Sequence, residues 1–222
     1  MTPFDKVLFL PINLPTPGDI DFDFLDGIDL SEMFKDEYRN CYHINLLTSK
    51  FEKTRWFNEL PSLSTWLGKV VLPKFMGRVM IIVTPPETKN HTHIDCSPEK
   101  FNTLQHKFRF VLRGRVQDLR FVFFNGKEIS PPKINNPFIM DGSWPHYMEN
   151  TLPARKYTLA IGYPWEPNLK DKAYSQLLQS SYEKYSNFSI FCSDGLKLPE
   201  NWNELFENKY LGGCTPEWHK RV

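Results

Sequence analysis

From Gln105 the chain alternates strictly. His106, Phe108, Phe110 and Leu112 fall on one side of an extended segment, and Lys107, Arg109, Val111 and Arg113 on the other. Successive side chains of a strand point to opposite faces, so this period of two predicts a strand buried on one side. Gly114 turns the chain, and Leu119 to Phe124 reads as the next strand. Asn125-Gly126 between apolar runs predicts a tight hairpin, because both central positions of a type I′ turn need positive φ. Lys127 to Ile129 returns from it, Pro137 to Met140 follows, and Asp141-Gly142 turns toward His146. Upstream, Gly77 to Val83 reads as a strand buried on both faces and closed by Thr84-Pro85-Pro86, and Cys41 to Leu47 as a further strand. About eight short strands between Gly77 and Trp165, joined by tight turns, predict a jelly roll.

The flanks read differently. Short apolar runs broken by Pro and Gly occupy residues 1 to 30, ending in an acidic, Phe-bearing stretch from Asp19 to Asp29 that is expected to be a solvated edge packing its Phe residues inward, with a partner-binding surface as the alternative. Asp29 or Ser31 is expected to cap a short helix through Tyr38. Residues 51 to 70, with Trp56, Leu60, Leu63, Trp66 and Leu67, predict short helices against a sheet. Residues 167 to 186 place Leu169, Ala173, Leu177, Leu178 and Tyr182 near one helical face. The remaining tail is rich in Trp and Tyr, and no role follows from it.

Composition narrows the function classes. The 222 residues carry a formal net charge of +1, which argues against broad attraction to nucleic acid or to an acidic membrane. Aromatics at 15%, with 18 Phe and 18 Pro, suit a sheet-rich, loop-rich fold. Cys41, Cys96, Cys192 and Cys214 are scattered, with no Cys-x-x-Cys, so neither a disulfide framework nor a structural zinc site is expected. The apolar run Val7 to Ile12 is too short for a membrane span or a signal segment. Asn90 and Asn187 begin glycosylation patterns that are read as chance. A reducing, cytoplasmic setting is the expectation. There is no Gly-rich phosphate loop, no Gly-x-Ser-x-Gly and no His-Glu-x-x-His.

The candidate chemistry lies in His91-Thr92-His93-Ile94-Asp95 and Trp144-Pro145-His146. In an extended segment His93 and Asp95 share a face and can grip one ion from a single strand edge. With His146 they make the two-histidine, one-carboxylate facial set suited to non-haem Fe(II). His91 and His93 also share a face, and with His146 they would give the three-histidine set of a cupin, leaving Asp95 beside it. His43, His106 and His219 belong to no such constellation. Nine residues beyond His146 comes Arg155, in a strand-like run where Arg155, Tyr157 and Leu159 share one face.

These residues resemble the 2-oxoglutarate- and Fe(II)-dependent oxygenases, which carry His-x-Asp/Glu, a distal His and an Arg roughly ten residues beyond it. Phe138 to His146 and Tyr163-Pro164-Trp165-Glu166-Pro167 look most like the aspartyl/asparaginyl β-hydroxylase branch, and the His146 to Arg155 spacing resembles the prolyl hydroxylases. The resemblance implies a mainly β, double-stranded β-helix core over about 70–166, cupin-like, with 1–69 and 167–222 as flanking, substrate-side elements of one domain. It implies Fe(II) on His93, Asp95 and His146, with 2-oxoglutarate and O2 as co-reactants. Arg155 would clamp the far carboxylate of 2-oxoglutarate with Tyr157 beside it, although a core tyrosine fits the latter equally. Arg109 matches, loosely, an arginine the aspartyl/asparaginyl hydroxylases use on 2-oxoglutarate, yet it lies farther from His-x-Asp than in that pattern, and a plain solvated arginine fits it equally. Those hydroxylases also lack the acidic ligand that Asp95 supplies. Hydroxylation of an Asp, Asn or Pro side chain in a peptide or protein, or of an amino acid, is the implied reaction. The competing readings are a cupin metalloenzyme using His91, and a jelly-roll binding module without catalysis.

Overall fold

The structure, a computed structural model, describes residues 7–37, 39–48, 50–70, 78–93, 95, 106–123, 126–142, 144–161 and 172–192. Cys96, Asn125, Tyr163 to Pro167 and the Trp- and Tyr-rich tail, all singled out above, lie outside these residues.

Eleven strands fall into two antiparallel sheets among the described residues. The strands are β1 (Val7–Pro11), β2 (Phe34–Asp36), β3 (Cys41–Leu47), β4 (Val79–Thr84), β5 (His106–Arg113), β6 (Leu119–Val122), β7 (Glu128–Ile129), β8 (Phe138–Asp141), β9 (His146–Met148), β10 (Lys156–Ile161) and β11 (Ile190–Phe191). The large sheet runs β11-β1-β8-β5-β10-β4-β3-β2, and the small one β7-β6-β9. Bridges from Lys89 to Glu149 and from His93 to His146 add residues 89–93 beside β9. From β4 to β10 the chain therefore visits the sheets as large, small, large, small, small, large, small, large. That is the winding of a double-stranded β-helix. Strands β1 to β3 and β11 extend the large sheet at both edges.

The alternation read from the sequence sorts residues between two cores. Phe108 and Phe110 of β5 join Val79, Ile81, Val83, Leu159 and Ile161 on the outer face of the large sheet. Helices cover that face: α1 (Phe22–Gly27), α2 (Arg55–Glu59), α3 (Pro61–Val70) and α4 (Lys172–Tyr185). Trp66 of α3 stacks over Phe110, with ring centroids 6.4 Å apart. Leu25 of α1 and Tyr174 and Leu178 of α4 are buried in the same cluster. Val111 of β5 points the other way and packs with Leu119, Phe121, Phe138 and Met140 between the sheets. At the predicted hairpin Gly126 has φ +71°, and Phe123 N–H donates to Lys127 O at 2.7 Å. None of the described helices is long and apolar enough to cross a membrane.

One predicted element is corrected. The helix expected from Asp29 through Tyr38 is a single 3-10 turn, Leu30–Glu32, followed by β2. Asp29 does cap it, accepting the Ser31 N–H at 2.7 Å. Tertiary pairing then overrides local propensity: Phe34 and Asp36 pair with His43 and Cys41, and Phe34 stacks on the His43 ring.

Lys156, at the start of β10, ties the turns that precede it. Its side chain is fully buried, and Nζ donates to Asp118 Oδ2 at 3.0 Å and to the carbonyls of Arg115 and Glu149 at 2.8 and 3.1 Å. Gly114, at φ +125°, makes room for the stem, since a Cβ there would lie 2.7 Å from Lys156 Cγ. Burial, opposed by Asp118, pushes the Lys156 pKa down to about 8. Lys156→Met removes the buried cation facing Asp118 and is expected to cost about 3–5 kcal/mol in urea unfolding. The folded pKa lies below the unfolded value, so the unfolded chain holds more protons between about pH 8 and 10.5. Wild-type stability relative to Lys156→Met is therefore expected to rise with pH across that window.

Candidate metal centre

Two strands laid side by side build the site. The His93 N–H donates to His146 O, and the His146 N–H donates back to His93 O, both at 2.9 Å. This reciprocal pair sets the two rings with centroids 4.5 Å apart. Each ring is then turned by its own backbone: His93 Nδ1 lies 2.7 Å from His91 O, and His146 Nδ1 lies 2.7 Å from Trp144 O. A carbonyl only accepts, so each Nδ1 carries the proton and each Nε2 presents a lone pair. Burial is the main cause that pushes His93 down to about 3 and His146 below its ordinary value, so both imidazoles are neutral at pH 7.

Both lone pairs face a carboxylate. Asp95 Oδ1 lies 3.6 Å from His93 Nε2, and Oδ2 lies 3.9 Å from His146 Nε2. The backbone of Asp95 is fixed by its N–H, which donates to Gly142 O at 2.5 Å. Only glycine suits that position, because a Cβ on Gly142 would stand 2.9 Å from Asp95 Cβ and 2.7 Å from Lys107 Cγ. Three acceptors converging without a donor among themselves repel one another unless a cation lies between them. Two neutral imidazoles and a carboxylate form a donor set suited to a divalent transition metal.

Two arginines grip Asp95 from outside. Arg109 of β5 donates from Nη2 to Oδ2 at 3.0 Å and from Nη1 to Phe108 O at 3.0 Å. Arg39, in the turn between β2 and β3, donates from Nη2 to Oδ1 at 3.0 Å. Burial alone would raise the Asp95 pKa, but the guanidinium charges of Arg39 and Arg109 outweigh it and hold the carboxyl well below the usual range. Arg78 is buried just before β4 with Nη2 3.0 Å from Met80 Sδ. Burial, then the charges of Arg39 and Arg109, push it down to about 9. Arg39, Arg78 and Arg109 against Asp95 and Asp36 leave one surplus positive charge within this group.

Asp36, Cys41 and His43 form a second buried group of potential metal donors beside the first. Both Asp36 oxygens are already engaged by Arg39, through its backbone N–H at 3.0 Å and Nη1 at 2.9 Å. Burial raises the Cys41 thiol and pushes His43 down to about 3. The hold of Arg39 on both Asp36 oxygens makes this group the anchor of that arginine.

Not every sequence-predicted residue reaches the centre. The structure brings His93, Asp95, His146 and Arg109 together. Arg155 and Tyr157 stand elsewhere, which corrects their expected place. They share a face with Leu159, as the alternation predicts, but it is the outer face of the large sheet. Arg155 Nη1 donates to the carbonyls of Leu25, Asp26 and Ile28 at 3.4, 3.2 and 2.9 Å, closing the end of α1. Tyr157 donates to Asp26 Oδ1 at 2.8 Å and is fully buried against Phe22. The His91 side chain is exposed, and this residue serves the centre through its carbonyl. Trp144 packs on Phe123 and donates to Val122 O at 3.0 Å. Arg39, Arg78 and Asp36 were not singled out from the sequence. No pattern in the sequence pointed toward them.

No family model matches the chain, and no curated protein matches it. Solved structures similar to it include a prolyl-4-hydroxylase from Pseudomonas putida, with 13% identity over 59% of this chain and 75% of that one, at a TM-score of 0.37. A Trichoplax adhaerens prolyl hydroxylase in complex with a hypoxia inducible factor oxygen degradation domain peptide fragment gives 13% identity over 61% and 68%, at a TM-score of 0.38. A Burkholderia pseudomallei oxidoreductase of the 2OG-Fe(II) oxygenase family gives 11% identity over 63% and 73%, at a TM-score of 0.37. Likenesses this distant assign no activity.

The relocation of Arg155 is directly testable. Arg155→Ala is expected to lower stability by about 1.5–3 kcal/mol, the range for hydrogen bonds to a charged group, when followed by denaturant unfolding. Its Co(II) affinity in calorimetric titration is expected to match the wild type.

Proposed function

We propose that the protein is an Fe(II)- and 2-oxoglutarate-dependent oxygenase that hydroxylates an amino-acid side chain, in a peptide or protein. The observation that carries this reading is the convergence of two Nε2 lone pairs and the Asp95 carboxylate at one point between the sheets. His93, Asp95 and His146 would hold the iron on one side, and iron so held supplies oxygen activation with 2-oxoglutarate as co-reductant. The chain's own contribution is position and charge. The Nδ1–H bonds to the His91 and Trp144 carbonyls keep each imidazole in the tautomer that donates through Nε2. Arg109 and Asp95 keep one another ionised in a buried setting.

The cosubstrate is a dianion, and the inner face offers a matching charge. Arg155 and Tyr157 lie on the wrong face for it, so Arg109 and Arg78, the buried arginines of the inner face, are assigned to its carboxylates. A forked, permanently charged guanidinium suits a carboxylate better than a point charge does. A three-histidine cupin site is disfavoured by the exposed ring of His91. The peptide or amino-acid substrate rests on the sequence resemblance, and the cytoplasmic setting on the scattered cysteines.

The test is anaerobic titration of the Fe(II) protein with 2-oxoglutarate, read by its visible charge-transfer absorption. The wild type and Arg155→Ala are expected to develop the band alike. Asp95→Ala is expected to lose it, and Arg109→Gln to need roughly 10- to 100-fold more cosubstrate, as for loss of a buried charged contact of about 1.5–3 kcal/mol or more. Iron binding without any response to 2-oxoglutarate would contradict the proposal.

A further inference from the structure

Arg39 belongs to neither strand pair that carries the triad. It sits in the turn between β2 and β3, at the far edge of the large sheet, 56 residues before the carboxylate it reaches. Its guanidinium forks between two acids: Nη1 to Asp36 Oδ2 at 2.9 Å and Nη2 to Asp95 Oδ1 at 3.0 Å. Its own backbone N–H also donates to Asp36 Oδ1, and Asn40, next in sequence, takes φ +52° to close the turn. The side chains of Arg39, Asp36 and Asp95 are only 11%, 3% and 12% exposed. This is a rigid bracket with one arm on the candidate metal ligand. A flexible surface ion pair would have neither the burial nor the second anchor.

We infer that Arg39 is a positioning residue for the metal: anchored by Asp36, it fixes the rotation of the Asp95 carboxylate so that a lone pair stays directed at the point where His93 and His146 converge. This rests on the reading of His93, Asp95 and His146 as metal ligands. Each carboxylate oxygen has two lone-pair directions, so Oδ1 can accept from Arg39 and still donate to a metal. Arg109 holds Oδ2 from the inner face at 3.0 Å, so the two arginines set the carboxylate plane from opposite ends. Hydrogen bonds to a ligating carboxylate normally orient it, and their loss weakens metal binding. The N-terminal β2–β3 hairpin, outside the double-stranded β-helix itself, is thereby part of the metal centre.

Charge alone makes the opposite prediction, and this makes the inference testable. Arg39→Gln removes a positive charge close to a bound cation, so a purely Coulombic role predicts tighter metal binding. Positioning predicts binding weaker by roughly 10- to 100-fold. Arg39→Lys keeps the charge but lacks the fork that spans two acids, and is expected to recover part of the loss. The experiment is Co(II) titration of the full chain by calorimetry, with the Co(II) d–d absorption spectrum recorded at saturation. The inference expects weaker binding and an altered spectrum in Arg39→Gln, with Arg39→Lys between it and the wild type. Unchanged or tighter binding with a wild-type spectrum in Arg39→Gln overturns it. Should Arg39→Gln not fold, a wild-type affinity and spectrum in Arg39→Lys overturns it as well. A wild-type protein that takes up no metal overturns the ligand reading itself, a result distinct from either.

Discussion

The exchange of backbone hydrogen bonds between His93 and His146 is the contact on which the site depends. It joins a segment beside the small sheet to the start of β9 and fixes the distance between two imidazoles that are 53 positions apart in sequence. Each ring then takes its orientation from a carbonyl two residues earlier, so the strand that carries the ligand also sets its tautomer. Asp95 enters by a third backbone bond, to Gly142 in the turn leading into β9. All three candidate ligands are thus placed by main-chain geometry before any side-chain contact is considered. A site built this way is pre-organised, because a β-ladder has few alternative arrangements to lose on binding.

Charge is the second constraint. Three arginines buried near two carboxylates would be costly to bring out of water if they were isolated. Here two of them share acceptors: Arg39 bridges Asp36 and Asp95, and Arg109 takes the other Asp95 oxygen. The one surplus positive charge and the converging lone pairs have opposite preferences, the first for an anion and the second for a cation. Both are met by a metal that carries an anionic chelator, which is the chemistry proposed for the protein.

Much of this was readable from residues alone. The alternation of β5 assigned Phe108 and Phe110 to one face and Arg109 and Val111 to the other, as the two clusters confirm. A hairpin at Gly126 was legible, but Phe121 pairs with Ile129 and Val122 with Glu128, one residue out of the register that a two-residue Asn-Gly turn would set. Arg155 shows the limit of that logic: period two says which residues share a face, and not which face meets the opposite sheet. Arg155 and Tyr157 do share one, but α1 covers it. Strand β2 escaped notice because three residues carry too little pattern, and its pairing with β3 outweighs a local helix signal. Arg39 had no signal, since its meaning lies in a contact across the fold.

The most direct test of the central claim is X-ray absorption at the iron edge on anaerobic, Fe(II)-loaded protein. The account predicts about one iron per chain, with scattering from two imidazoles and further light oxygen donors. It also predicts that His91→Ala leaves the spectrum unchanged and His146→Ala removes one imidazole contribution. Three imidazoles in the wild type, or no bound iron, would contradict it.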